Sequence, residues 1–176
     1  MSPTGNDGIH NTVSTRSASF FSSTVKPTVD EFLGDVLDIR RGRLAAIVLY
    51  HMADYWLLDG ATYDTRQEYT EALTSLHDSL KNECEEFSII RDIADATKHA
   101  SLFVPKDKNR PRKLSSAEQV TRPAGMFGAP FGEAVFSEAS TVMIKLDAGT
   151  SQPLAKAIGS VLTMWEELLF GRRGTA

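Results

Sequence analysis

The chain predicts a mainly α fold: a helical bundle of four to five helices with a small β-hairpin elaboration before the last helix. Three observations carry that expectation. Apolar residues recur at three- and four-residue spacings along most of the chain after Pro27. Helix start and stop signals punctuate those periods, as at Thr65–Glu68 and Asp59-Gly60. The stretch from Pro105 to Thr141 lacks the period, is rich in Pro and Gly, and leads into the β-type run Val142 to Leu146.

Taken in order, Met1 to about Lys26 is Ser/Thr/Gly/Asn-rich and aperiodic, and reads as a disordered tail; Phe20 and Phe21 are the exception, candidates for local docking. Residues 27–176 read as one helical domain. Thr28 and Glu31 have the spacing of a capping box, followed by Phe32, Val36 and Ile39, and Gly42 is placed to break or kink the chain. A second helix is expected over 43–58, stopped by Asp59-Gly60. Thr65 and Glu68 open a third, with Tyr69, Leu73, Leu76 and Leu80 on one face. A fourth, near 83–102, buries Ile89, Ile90, Ile93, Ala94, Ala96 and Ala100. The strand at Val142–Leu146 is expected to pair with Val135-Phe136 or with residues near Val120. Ser151 and Pro153 then open a last helix carrying Leu154, Ile158, Val161, Leu162, Trp165 and Leu169.

Composition excludes several function classes. A net charge of −4 does not support binding of nucleic acid through overall charge, though it leaves room for a local basic site. The lone Cys84 can form neither an internal disulfide nor a cysteine-rich zinc site, which points to a reducing, cytoplasmic setting. The N-terminus shows no apolar core of a signal peptide, and the run Leu44–Tyr50 is too short to span a bilayer, so no membrane is expected. There is no P-loop, dinucleotide fingerprint, H-E-x-x-H or EF-hand loop.

The chemistry concentrates in two places. The helix over 43–58 is apolar on nearly every side except for His51 and Asp54, which share a face. A carboxylate buried there needs a donor, so a His51–Asp54 hydrogen bond is one expectation and a site is the other. It follows that Asp54→Ala should cost more than Asp92→Ala. On the helix over 83–102, Ser88, Arg91, Asp92, Asp95, Lys98 and His99 form polar columns opposite the isoleucines. They are either a solvated face, with Arg91–Asp95 as an ordinary pair, or one wall of an inter-helix site facing His51 and Asp54.

The same two segments carry a resemblance. Arg91-Asp92-Ile93-Ala94-Asp95-Ala96-Thr97-Lys98-His99 is similar to the R-D-x-A-x-x-x-K-H element of uncharacterised bacterial helical proteins, whose preceding helix carries H-x-x-D-[YW], here His51 to Tyr55. Arg91-Asp92 also resembles the opening of the HEPN signature of helical ribonucleases and toxins, although Ala96 and Thr97 stand where its histidine belongs and His99 comes later. The resemblance implies an RNA- or nucleotide-directed activity with His99 as acid/base, Arg91 and Lys98 on phosphate, and Asp54 orienting a histidine. The partner would be RNA or a nucleotide held by Lys98 and the basic run Lys106–Lys113, which otherwise reads as a solvated loop. A homodimer is the other partnership expected. Two rival readings stay open: a metal-dependent bundle enzyme using His51, Asp54, Asp95 and His99 as mixed ligands for an undetermined metal, or a non-catalytic interaction module.

Overall fold

The computed structural model describes residues 15–102, 111–122 and 141–171. They form a mainly helical bundle with a small antiparallel sheet before the last helix. Helix α1 (Arg16–Phe20) continues through a π-helical turn (Phe21–Val25) into α2 (Lys26–Leu33). Then come α3 (Ile39–Gly60), α4 (Arg66–Glu83) and α5 (Glu86–His99). A 3-10 turn (Ala117–Gln119) leads into strand β1 (Val120–Thr121). Strands β2 (Met143–Lys145) and β3 (Ser151–Pro153) precede α6 (Leu154–Phe170). With 16–33 counted as one continuous helix, five helices build the described part of the bundle.

Helix α3 is the axis: it packs against α1, α2, α4, α5 and α6, as its nearly all-round apolar sequence demands. Leu49, Met52, Ile90, Ile93, Phe87, Phe32 and Trp165 are fully buried around it. The Trp165 indole donates to the Leu49 carbonyl at 3.1 Å and packs on Trp56, ring centroids 6.1 Å apart. An indole buries much apolar surface but carries a donor that must be satisfied, and the α3 carbonyl does so.

The N-terminal reading needs correction. The part of the expected tail that is described, 15–26, is helical, because the buried stripe starts earlier than Thr28: Phe21, Val25, Val29 and Phe32 follow one another at helical spacing with at most 4% exposure. Residues 1–14 lie outside the described residues. Thr28 is therefore mid-helix and donates its hydroxyl to the Thr24 carbonyl rather than capping. The first turn of α1 is closed from a distance: Asp59, at the end of α3, accepts from the Arg16 and Ser17 amides, each at 2.9 Å, and from the Ser17 hydroxyl.

Gly42 does not break α3, which starts at the Asp38 cap four residues before it. A Cβ there would stand 2.6 Å from Leu154 and 3.0 Å from Phe32, so the glycine lets α2, α3 and α6 meet closely. Thr65 caps α4 as expected, accepting from the Glu68 amide at 3.2 Å, while Glu68 reaches back to the Asp64 amide. Strand β2 pairs Val120 with Ile144, one of the two pairings expected; the other, through Val135-Phe136, lies outside the described residues. Ser151 sits in a strand rather than capping α6, which begins only after Pro153. There the Leu154 amide donates to the Val142 carbonyl, which the sheet holds in place. Among the described residues no helix is long and apolar enough to cross a membrane.

Candidate functional site

Between α3 and α5, with Leu73 of α4 at one side, lies a cleft of about 540 Å³. Its apolar lining is Ile47, Leu73 and Ala94. Its polar lining is Tyr50, His51 and Asp54 from α3, and Asp95, Thr97 and Lys98 from α5. The two helices come together because the Ile89–Ile93 stripe of α5 packs on the buried face of α3, which leaves the neighbouring polar edges to form walls.

Of the six site residues read from the sequence, four share this cleft: His51, Asp54, Asp95 and Lys98. Arg91 and His99 do not line it. Arg91 turns instead to its neighbour Asp92, donating from Nε at 3.1 Å and Nη2 at 2.9 Å, not to Asp95. His99 ends α5 and is exposed, so the α5 wall is completed by Lys98. The expected His51–Asp54 bond gives way to a different partner. Asp54 accepts from the Tyr69 hydroxyl of α4, and His51 is exposed at the cleft mouth. The carboxylate thus acquires its donor across a helix interface, which no single-helix pattern could reveal.

The electrostatics differ from wall to wall. Burial pushes the Tyr50 hydroxyl up to about 12, with Asp95 adding to the effect and Arg91 opposing it. Burial, and then the hydrogen bond to Asp54, raise Tyr69. Both phenols therefore act as neutral donors at ordinary pH. Asp95 is raised as well: burial outweighs the pull of Arg91, Arg112 and His99. The basic run is described only from residue 111 onward, and it is not wholly a solvated loop: Lys113 donates its amide to the fully buried Asp92 and its ammonium to Glu85 at 2.9 Å.

Asp92 is the largest departure from the sequence reading. It belongs to the stripe read either as a solvated face or as one wall of an inter-helix site, yet it is 0% exposed and, among the described residues, accepts two hydrogen bonds from Arg91 and one from Lys113. Tyr50, Tyr69 and Thr97 are site residues that the sequence pattern does not single out. The only signal for two of them is helical spacing: Tyr50 stands one turn before Asp54, and Thr97 just before Lys98. Among the described residues no three His, Cys, Asp or Glu side chains come together as a metal site would require, so the quartet His51, Asp54, Asp95 and His99 is not assembled. The chain matches no protein-family model, no curated protein and no solved structure.

Proposed function

We propose that the α3–α5 cleft binds a phosphate-bearing nucleotide ligand and acts on it by proton transfer, the nucleotide-directed activity that the HEPN-like resemblance implies, with His51 in place of His99 and Lys98 acting without Arg91. One observation supports it above all: an exposed histidine, His51, and a cation, Lys98, from helices separated in sequence by all of α4, line one cleft with an apolar floor. Histidine is the residue type suited to take and return a proton near neutral pH. Lys98 offers a compact positive charge for a phosphate oxygen. Ile47, Leu73 and Ala94 supply an apolar surface for a base, and Asp54, steadied by Tyr69, can accept from sugar hydroxyls or ring N–H groups. Arg91 is already committed to Asp92 and is given no part in the chemistry.

The test is a labelled single-stranded RNA and a panel of nucleotides, incubated with and without divalent ions. His51→Ala is expected to abolish turnover while leaving affinity within about threefold. Lys98→Met is expected to weaken affinity by about tenfold or more, the order of a lost charge-assisted hydrogen bond. Turnover that survives both substitutions would remove the proposal.

A further inference from the structure

The α3 wall of the cleft carries an acceptor and a donor whose hydrogen-bonding capacity is left open. Asp54 gives Oδ1 to the Tyr69 hydroxyl of α4, and no hydrogen bond among the described residues takes up Oδ2. That bond restrains the plane of the carboxylate and still leaves Oδ1 a second lone pair. Tyr50 stands one helical turn before Asp54, at i and i+4, so both side chains share the face of α3 that lines the cleft. Its ring packs on His77 and Phe87, centroids 5.2 and 6.2 Å away, and no hydrogen bond among the described residues takes up its hydroxyl. The phenol keeps its proton at ordinary pH and is a neutral donor. Lys98 stands on the opposite, α5 wall, so the two ends of a nucleotide have different walls to address.

The bases differ in how they meet such a wall. The pairing edge of guanine presents a carbonyl acceptor, O6, followed by two adjacent donors, N1–H and the N2 amine. Adjacent donors are what a carboxylate, with acceptor oxygens only, takes as a pair. Adenine and cytosine set a ring-nitrogen lone pair beside their amine, and uracil has one N–H between two carbonyls. Each of the three therefore turns at least one lone pair against the carboxylate, which is penalised in a site partly closed to water.

Building on the nucleotide reading of the cleft, we propose that the site selects guanine: Asp54 accepts from N1–H and the N2 amine, Tyr50 donates to O6, and Lys98 holds the phosphate. Tyr69 touches no ligand; it is a positioning residue that aims the Asp54 carboxylate.

The probes are the 5′-monophosphates of guanosine, inosine, adenosine and xanthosine, titrated calorimetrically into the full chain and its variants. The unaltered protein is expected to bind the guanosine form about tenfold or more tightly than the adenosine form, with inosine, which lacks the N2 amine, between them. Asp54→Asn keeps an acceptor for Tyr69 and turns the other position into a donor. It should weaken the guanosine form by about tenfold or more and bring xanthosine, which has a carbonyl in place of that amine, above it. Tyr69→Phe should cut the guanosine-to-adenosine ratio by about threefold or more with adenosine affinity unchanged, a readout that loss of stability alone does not move. Either source of guanine supports the proposal: tighter binding of the monophosphate than of the trinucleotide UpGpU assigns a free nucleotide, and the reverse assigns an RNA strand. Guanosine and adenosine forms bound equally, both weakened by Lys98→Met, would overturn guanine selection and leave the cleft reading standing. So would a ratio that Asp54→Asn leaves unchanged. Failure of the unaltered protein to bind any probe would remove both.

Discussion

At the scale of single residues, burial reverses the ranking that the sequence suggests. Asp54 sits on an apolar helix and reads as the more costly carboxylate to lose, but it is only half-buried and held by one phenol. Asp92 is fully buried, and its removal strands both Arg91 and the Lys113 amide. Asp92→Ala is expected to cost about 3 kcal/mol, the low end for breaking a buried pair because Arg91 keeps some access to water. In a chain of this size that is a fall in melting temperature of roughly 6–12 °C. Asp54→Ala should lower it by far less, and thermal melts showing equal falls would contradict the assignment. Asp95 carries the opposite sign. Its carboxyl is raised in the folded state, so the folded chain holds that proton more tightly than the unfolded one, and the stability this confers is lost as pH rises through the folded value. Asp95→Asn should therefore raise the melting temperature at pH 7 and leave it little changed at pH 3. A stabilising effect of equal size at both pH values would argue that the cause is not ionisation.

At the scale of elements, the helices are legible in the sequence where their cause is local. The Thr65 cap, the isoleucine face of α5 and the periodic stripe of α6 all lie within a few turns of sequence, and the structure has each of them. Elements whose cause is distant are misread. The hydroxyl of Thr28 and the carboxylate of Glu31 have capping-box spacing, but Phe21 and Val25 already carry the helix past them. Gly42 reads as a breaker because its neighbours across α2 and α6, Phe32 and Leu154, are not visible in the local pattern. The burial of Asp92 within the polar stripe of α5 is not legible because the chain that contacts it, at Lys113, lies 21 residues beyond it. Part of the site is legible for the same reason: His51, Asp54, Asp95 and Lys98 are marked by spacing within their own helices, while Tyr69 reaches Asp54 from α4. The cap on α1 is a further distant contact that can be tested. Asp59→Ala removes the acceptor for the Arg16 and Ser17 amides, and losing a helix cap costs about 1 kcal/mol. Hydrogen exchange should show faster exchange over 16–25 with α5 unaffected; unchanged protection there would mean that burial of Phe21 and Val25 alone holds the segment.

For the molecule as a whole, the N-terminal helix is part of the core and not an appendage. Phe20 stacks on Tyr55, ring centroids 3.9 Å apart, and Phe21 meets Phe170 edge-on at 5.7 Å, so one short segment bridges the far ends of α3 and α6. Deleting residues 1–25 removes the buried Phe21 and Val25, each contributing about 1.5–3 kcal/mol, and exposes the surface beneath them. The truncated chain is expected to melt well below the full one or to fail to accumulate. A truncation that melts within 2–3 °C of the full chain, a shift of about 1 kcal/mol, would show the segment to be dispensable.

The placement of the two tryptophans decides what the molecule reports optically. Trp165 and Trp56 are its only indoles, and both sit in the seam between α3 and α6, with Trp165 tied to the Leu49 carbonyl. The cleft that holds His51 and Lys98 is lined by residues of α3, α4 and α5 and contains neither indole. Intrinsic emission is therefore a direct gauge of whether that seam is closed, and a shift to longer wavelength accompanies its separation during unfolding. Occupancy of the cleft is spectrally quiet by comparison, so a ligand that leaves the emission unchanged has not thereby failed to bind, and titrations need calorimetry or a labelled ligand to register it.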